Sequence, residues 1–390
     1  MPLPPAQDRI RLVVLFGGQS AEHDVSRTTA SHVLRAADPD RYDILPVAIG
    51  RDGQWRLAES ALEALAGGPD SLPDALSVAG PPIDPATALS LPPSPPATTP
   101  PTSPPAPIAA TGHHLGWEPL VALPLLHGPF GEDGTVQGLL ELAAVPYAGA
   151  GVLGSALAMD KAKAKEVFAY HGLPQAKWLA WRADQLPKDQ LDVVGAELGF
   201  PCFVKPSNLG SSIGVSKVNR PAELAAAVEL ALSYDEWILV EEAIVGREIE
   251  LAVLGNGDPQ VSGAGEIVPG ADFYDYEDKY LDGRAKLLIP APIPDTLLAR
   301  FQSLARQAFL ACRAEGMARV DFFLEEVSGP NASPARGPLL NEVNTIPGFT
   351  PISMYPKLWQ HHGLAYPELL DALVSLAIER HQRRRRRTDR

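Results

Sequence analysis

Cys202 and Cys312 are the only cysteines in a chain of 390 residues, and they stand far apart with no CxxC pair and no histidine pair beside them. That spacing excludes a disulfide framework and a structural zinc site and fits a reducing compartment. Long apolar runs are missing too. Residues 12–16 are too short a run for a signal-peptide core, and no stretch reaches the roughly 18 apolar residues of a membrane span. The expectation is a cytoplasmic protein with no membrane partner. Positive charge is scarce: 33 Lys and Arg against 47 Asp and Glu leave a net charge of −14. A nucleic-acid partner is therefore not expected, because such affinity comes mainly from cations that neutralise phosphates.

The chain is long enough for two or three domains. Residues 11–16 read as a buried strand ending at Gly17-Gly18, residues 24–36 as a helix and residues 42–49 as a second strand, which is a βαβ opening. From about 80 to 107 the sequence is rich in Pro, Ala, Ser and Thr; it reads as an inserted loop, extended or disordered, with no core of its own. A buried strand resumes at 120–126, followed by helical spacing over 135–144 and 154–171. Residues 199–205 form a short strand that delivers Lys205, and 213–218, 221–232 and 237–242 complete a small α+β unit. Strands at 248–254 and 260–268, a helix over 295–315, and strands at 317–325 and 338–343 make a third region. The terminal HQRRRRRTDR reads as a solvated, frayed tail.

Side chains two apart on a strand share a face. Arg319 and Asp321 therefore pair on one strand and Glu342 and Asn344 on another, and antiparallel pairing would gather two carboxylates, an amide and a guanidinium. Hard oxygen ligands of this kind suit Mg²⁺ held with nucleotide phosphates; the alternative is a salt bridge on a solvated sheet edge. Residues 205–214, KPSNLGSSIG, place a lysine at the mouth of a Gly/Ser loop. Its amides and hydroxyls can cradle phosphate oxygens, although a flexible hairpin would look similar. No Walker GxxxxGK[ST] occurs, so this is not a P-loop.

Gly149-Ala150-Gly151-Val152-Leu153-Gly154 matches GxGxxG, but residues 168–183 lack the acid that a dinucleotide site needs about 20 positions on. These glycines read as a turn joining two domains. Ligands of open α/β sheets sit beyond the carboxyl ends of strands, which places Glu22 and His127 to meet a zwitterion. Glu22 reads equally as an acid favoured by a helix start. Residues 273–280, FYDYEDKY, read as a loop able to close over a site.

Seven segments, GGQSAEHDVS, HGPFGEDG, MDKAKAK, KPSNLGSSIGVSKV, FYDYEDKY, ARVDFF and NEVNTIPGFTPISMYP, resemble in content and order those of the D-alanine:D-alanine ligases of the ATP-grasp superfamily. The resemblance runs from about residue 10 to 375. It implies a mixed α/β and α+β, three-domain ATP-grasp fold with a Rossmann-like first domain: residues 1–149 for substrate, with the Pro-rich insertion; 150–241 and 242–380 around ATP; and 381–390 as the basic tail. It implies ligation of two D-alanines through a D-alanyl phosphate, for peptidoglycan precursors, by a cytoplasmic homodimer using ATP and two Mg²⁺ or Mn²⁺ ions.

Matched residue by residue, the resemblance gives catalytic roles to Glu22, Ser211, Tyr280, Arg319 and Gly348. It gives substrate contacts to Val25, His127, Lys279, Ser353 and Met354. Lys161, Lys205 and Ser212 would meet phosphates, while Glu241, Glu242, Ile244, Glu248 and Phe273 would surround the rest of the nucleotide; Asp321, Glu342 and Asn344 would hold the metal. Glu242 stands where many relatives carry lysine. Tyr280 favours D-alanine over D-lactate at the second site. A D-serine or D-lactate ligase and an ATP-grasp protein that only binds nucleotide are the alternative readings, and an NAD-dependent oxidoreductase rests on the GxGxxG glycines alone.

Overall fold

The structure is a computed structural model that describes residues 9–90, 120–187, 189–269, 286–326, 335–350 and 352–384. Its first sheet grows from the apolar run near the N-terminus. Strand β1 (Ile10–Gly17) lies parallel to β2 (Tyr42–Ile49) on one side and to β4 (Leu120–Pro124) on the other, and β3 (Trp55–Leu57) adds an antiparallel edge. A central parallel strand is covered on both faces, hence its unbroken run of buried residues. Helix α1 (His23–Ala36) links β1 to β2. Gly17 turns the chain at φ +93°, where a Cβ would come within 2.4 Å of the Ile49 carbonyl oxygen, so only glycine fits. The buried Ser26 hydroxyl accepts from the Gly17 amide at 2.8 Å and donates to the Leu125 carbonyl at 2.6 Å. One side chain thus fixes the ends of two strands against α1.

Helix α2 (Glu59–Ala66) follows β3. The start of the Pro-rich stretch departs from the sequence expectation. Residues 85–88 form a short helix, α3 (Pro85–Ala88), with Pro85 in its first turn and the Asp84 carboxylate accepting the Thr87 amide at 3.1 Å. Ala88 and Leu89 are buried in the core between β1, β2 and β4. Capping chemistry and two apolar side chains outweigh the local composition there; residues 91–119 lie outside the described residues.

Helix α4 (Thr135–Leu142) ends the first unit. The helical spacing at 154–171 resolves into two helices, α5 (Val152–Met159) and α6 (Lys161–Tyr170), because Asp160 is extended and caps the second, accepting the Lys163 amide at 3.0 Å. A four-stranded antiparallel sheet follows, ordered β5-β8-β6-β7 from β5 (Trp178–Arg182), β6 (Cys202–Pro206), β7 (Ser216–Val218) and β8 (Trp237–Glu242). Helix α7 (Gln190–Glu197) precedes β6, and α8 (Leu224–Leu232) packs Leu224, Ala227, Val228 and Ala231 onto this sheet.

The third sheet is ordered β11-β10-β9-β12-β13 and is antiparallel throughout. It comprises β9 (Gly246–Gly255), β10 (Gln260–Val268), β11 (Lys286–Leu288), β12 (Gly316–Glu325) and β13 (Pro338–Asn344). Helix α9 (Asp295–Ala311) covers one face through Phe301, Ala305 and Phe309. Helices α10 (Met354–His361) and α11 (Tyr366–Arg384) cover the other and share one core with the first sheet: Leu369, Leu373 and Val374 pack with Leu12, Val14 and Phe16. The first and last thirds of the chain are therefore one packed body.

The GxGxxG glycines lie where that body is crossed. Gly149 has φ +94°, and a Cβ on Gly316 would come within 2.9 Å of its amide nitrogen. A Cβ on Gly154 would lie 2.6 Å from the Arg313 carbonyl oxygen. These glycines permit close backbone passage. Buried Arg380 donates to the Gly149 and Tyr147 carbonyls and stacks on the Tyr147 ring at 3.9 Å. Residues 381–384 of the basic run continue α11 instead of fraying, with Arg383 paired to Glu315 and Arg384 to Glu141. Among the described residues no helix is long and apolar enough to cross a membrane.

Candidate functional site

A cleft of about 1340 Å³ opens where the three sheets meet, lined from all three thirds of the chain. At one end is the Gly/Ser loop between β6 and β7. Ser211 and Ser212 take left-handed φ of +51° and +57°, ahead of Gly214 at +72°; a left-handed non-glycine residue costs on the order of 1–3 kcal/mol. The strained turn aims Ser211 across the cleft, where its hydroxyl donates to the Glu22 carboxylate. Glu22 is buried and wedged between two backbones: a Cβ would come within 2.8 Å of its Oε2 at Gly210 and within 2.7 Å at Gly128. The resemblance gives catalytic roles to Glu22, Ser211 and Tyr280. The first two meet; Tyr280, with Lys279 and Phe273, lies outside the described residues.

His127 closes the same end. Its Nδ1 lies 3.0 Å from the Ile346 carbonyl oxygen and so carries the proton, and its Nε2 lies 3.4 Å from the Thr29 hydroxyl. Burial depresses the imidazole pKa against the opposing pull of Glu22, which leaves the ring neutral. Glu132, given no role from sequence, accepts the Gly128 amide at 2.8 Å and the Ile346 amide at 3.1 Å. Burial and the Glu22 charge push its carboxyl up to about 8 despite those bonds. Two acids therefore share this part of the cleft, and a cation entering it would favour the charged form of Glu132.

Lys161 stands at the first turn of α6 because Ser207 holds that turn: the Lys161 amide donates to the Ser207 carbonyl at 2.9 Å and the Ala162 amide to its hydroxyl at 3.1 Å. The Lys161 ammonium donates to the Leu209 carbonyl at 2.6 Å and lies 3.7 Å from Glu342. Lys205 leaves the end of β6 to pair with Glu241 on β8, which also pairs with Lys165 of α6 at 2.5 Å. Burial opposes the charge on Glu241, yet the two lysines hold its carboxyl down to about 2. Ile244 and Glu248 line the same end of the cleft. Glu242 lines it too, with its carboxylate accepting the Lys177 amide at 2.6 Å and Arg336 at 2.6 Å. Arg336 thus supplies a cation beside Glu242.

On the third sheet, Arg319 lies opposite Asn344 and Asp321 opposite Glu342, the antiparallel pairing that clusters the four. The Arg319 fork donates to both Asp321 oxygens at 2.8 Å, and its Nε lies 3.2 Å from Glu250. Burial disfavours its charge, but Asp321 and Glu250 raise its pKa well above the usual value. The Asn344 amide donates to Asp321 at 2.9 Å, which leaves the amide oxygen available. Among the described residues no three His, Cys, Asp or Glu side chains form a metal-binding group. Two carboxylates and one amide oxygen fit Mg²⁺ nonetheless, because that ion takes one or two carboxylates and completes its shell with water and phosphate.

Beyond Ile346, the Ser353 hydroxyl accepts the Thr350 amide at 3.1 Å and lies 2.7 Å from the Thr350 hydroxyl, where a Cβ on Gly348 would also meet it, at 2.8 Å. Met354 begins α10 beside it, and Val25 of α1 faces the same cleft. Sequence reasoning passed over Lys165, Glu250 and Glu132. The first lies four residues from Lys161 on one helix face and the second two from Glu248 on one strand face; the third sits inside HGPFGEDG. The first two spacings were usable signals.

Two family descriptions match the chain: "D-ala D-ala ligase N-terminus" over residues 11–150 and "D-ala D-ala ligase C-terminus" over 167–375. The D-alanine–D-alanine ligase of Geobacillus kaustophilus is 44% identical over 380 residues, covering 96% of each chain. That of Bacillus cytotoxicus is 45% identical over 386 residues, covering 97% of this chain and 98% of its own. Among solved structures, the D-alanine-D-alanine ligase of Coxiella burnetii superposes with a TM-score of 0.73 at 33% identity, covering 96% of both chains. The VanG D-Ala:D-Ser ligase of Enterococcus faecalis gives 0.72 at 31%, covering 95% of this chain and 99% of its own. The chain belongs to the D-alanine–D-alanine ligase family and has its ATP-grasp fold.

Proposed function

We infer that the chain joins two molecules of D-alanine using ATP, by way of a D-alanyl phosphate, in peptidoglycan precursor synthesis. The observation that carries this reading is the convergence of Glu22, Lys161, Lys205, Arg319 and Glu342 on one cleft. The carboxylates suit an ammonium, the lysines and the Gly/Ser loop suit phosphates, and the Arg319 guanidinium lines the same cleft. Phosphoryl transfer asks for alignment and charge neutralisation, not for a protein nucleophile.

In this scheme Glu22 holds the ammonium of the first D-alanine, with Ser211 fixing the carboxylate. A carboxylate oxygen of that substrate attacks the γ-phosphorus, the bond to the β–γ bridging oxygen breaks, and ADP departs with the electron pair. The free amine of the second D-alanine, its carboxylate met by Ser353 and the backbone at Met354, then attacks the acyl carbon. Arg319 and the Gly348 amide steady the oxyanion while inorganic phosphate leaves and the amine sheds a proton. Lys161, Lys205 and Ser212 meet phosphates; Glu241, Glu242, Ile244 and Glu248 hold the adenosine. Asp321, Glu342 and Asn344 hold two divalent ions, Mg²⁺ or Mn²⁺, which when bound neutralise phosphate charge. The reading divides the chain at residues 149, 241 and 380 and makes it a cytoplasmic homodimer.

The test is ADP release from Mg²⁺-ATP with D-alanine, alongside L-alanine, D-alanine plus D-serine, and D-alanine plus D-lactate. Dipeptide formation from D-alanine alone is the expected result, and ATP binding without turnover in every mixture would sink the reading. Glu22→Gln should raise the KM for D-alanine by about tenfold or more, the scale of one charge-assisted bond, while the KM for ATP stays within about twofold. Equal rises in both would remove Glu22 from the ammonium site. Glu342→Gln should raise the Mg²⁺ concentration for half-maximal rate by about 10–100-fold; an unchanged Mg²⁺ titration would remove Glu342 from the metal site.

A further inference from the structure

Lys165 is buried to 2% exposure, yet it is a lysine and has no part in the scheme above. It projects from the same helix as Lys161 and meets the Glu241 carboxylate at 2.5 Å on one oxygen; the other oxygen of Glu241 meets Lys205. The carboxylate is 5% exposed and Lys205 15% exposed, so all three charges interact with little water between them. Two further carboxylates, Glu342 and Glu248, face Lys205, and Glu342 also acts on Lys165.

We propose that Lys165 is a positioning residue of the nucleotide site: it shares the charge of Glu241 so that Lys205 can divide its ammonium between that carboxylate and a phosphate. The proposal rests on the reading of the cleft as an ATP site. A phosphate oxygen approaching Lys205 competes with Glu241 for the same three N–H donors. A buried carboxylate left without a cation is costly, so a Glu241 with one partner holds that partner fast. A second ammonium, locked below on α6, keeps Glu241 compensated when Lys205 turns to the phosphate. It also keeps the carboxylate ionised as an acceptor for an amino group of the base. A lysine with a merely space-filling role would leave nucleotide and amino-acid binding equally affected by its loss.

The experiment measures ADP release while ATP and D-alanine are varied in turn, for wild type, Lys165→Met, Lys165→Arg and the double variant Lys165→Met/Glu241→Gln. Lys165→Met should raise the KM for ATP by about tenfold or more, the scale of one charged hydrogen bond, with the KM for D-alanine within about twofold. Lys165→Arg, which keeps the charge, should restore most of the ATP KM. The double variant should bind ATP better than Lys165→Met, because removing the carboxylate frees Lys205. Equal rises in both KM values for Lys165→Met, or no recovery in either of the other variants, would overturn the proposal. Should Lys165→Met fail to fold, a double variant that folds supports the charge coupling, and a double variant that also fails overturns it. Calorimetry with a non-hydrolysable ATP analogue reads the same contrasts without turnover. A wild type that binds the analogue but forms no dipeptide would refute the ligase reading while leaving this one measurable.

Discussion

Arg319→Lys is expected to lower kcat by roughly 10²–10³-fold, the usual scale for losing an oxyanion-stabilising group, with a much smaller change in the KM for ATP. The substitution keeps a positive charge, so the argument rests on shape. Arg319 grips Asp321 with two parallel bonds of 2.8 Å while its Nε stays 3.2 Å from Glu250. A lysine ammonium is a point charge and cannot span both carboxylates in that plane. It will settle on one of them, and the donor that should face the developing oxyanion will be displaced. Steady-state kinetics with Mg²⁺-ATP saturating and D-alanine varied separate the outcomes. A fall in kcat with ATP binding retained places Arg319 in transition-state stabilisation; a rise in the ATP KM with kcat unchanged would make it a nucleotide-binding group instead.

The legibility of this cluster in the sequence has a simple origin. Strand period fixes which side chains share a face, so Arg319 with Asp321 and Glu342 with Asn344 could be paired before any fold was known, and the register agrees. The runs that became β2, β8 and β10 were bounded to the residue because their apolar stretches give way to polar or turn residues at their edges. The failures share another origin. Within KAKAK, Lys163 is solvated beside Glu166 whereas Lys165 is buried. Helix spacing puts Lys165 on the face of Lys161 and Lys163 opposite, but it does not say which face is buried; the partner that draws Lys165 inward is Glu241, on a strand far along the chain. The break at Asp160 depends in the same way on the Ser207 hydroxyl, which donates to its carboxylate at 2.7 Å. Long-range partners decide such features, and a single sequence shows only the candidates. Phe273, Lys279 and Tyr280 remain expectations of the resemblance, since they lie outside the described residues.

Glu241→Gln should destabilise the protein by ~3–5 kcal/mol near neutral pH, the cost of stripping one partner from a buried ionic group. Two ammoniums would then face each other across a neutral amide, at 2% and 15% exposure. The pH dependence distinguishes this cause from lost packing. In the wild type the Glu241 carboxyl sits at about 2 against an ordinary 4.5. Its contribution is therefore complete above 4.5 and fades as pH falls toward 2, where wild type and variant should converge. At the alkaline end Lys165 matters: burial already lowers its pKa, and losing Glu241 lowers it further. The folded variant can shed that proton before the unfolded chain does, so its stability rises with pH and the gap to wild type narrows below 10.5. Urea denaturation at acid, neutral and alkaline pH measures both limbs. A deficit that stays constant across the range would mean that Glu241 fills space and that its charge is not what Lys165 and Lys205 require.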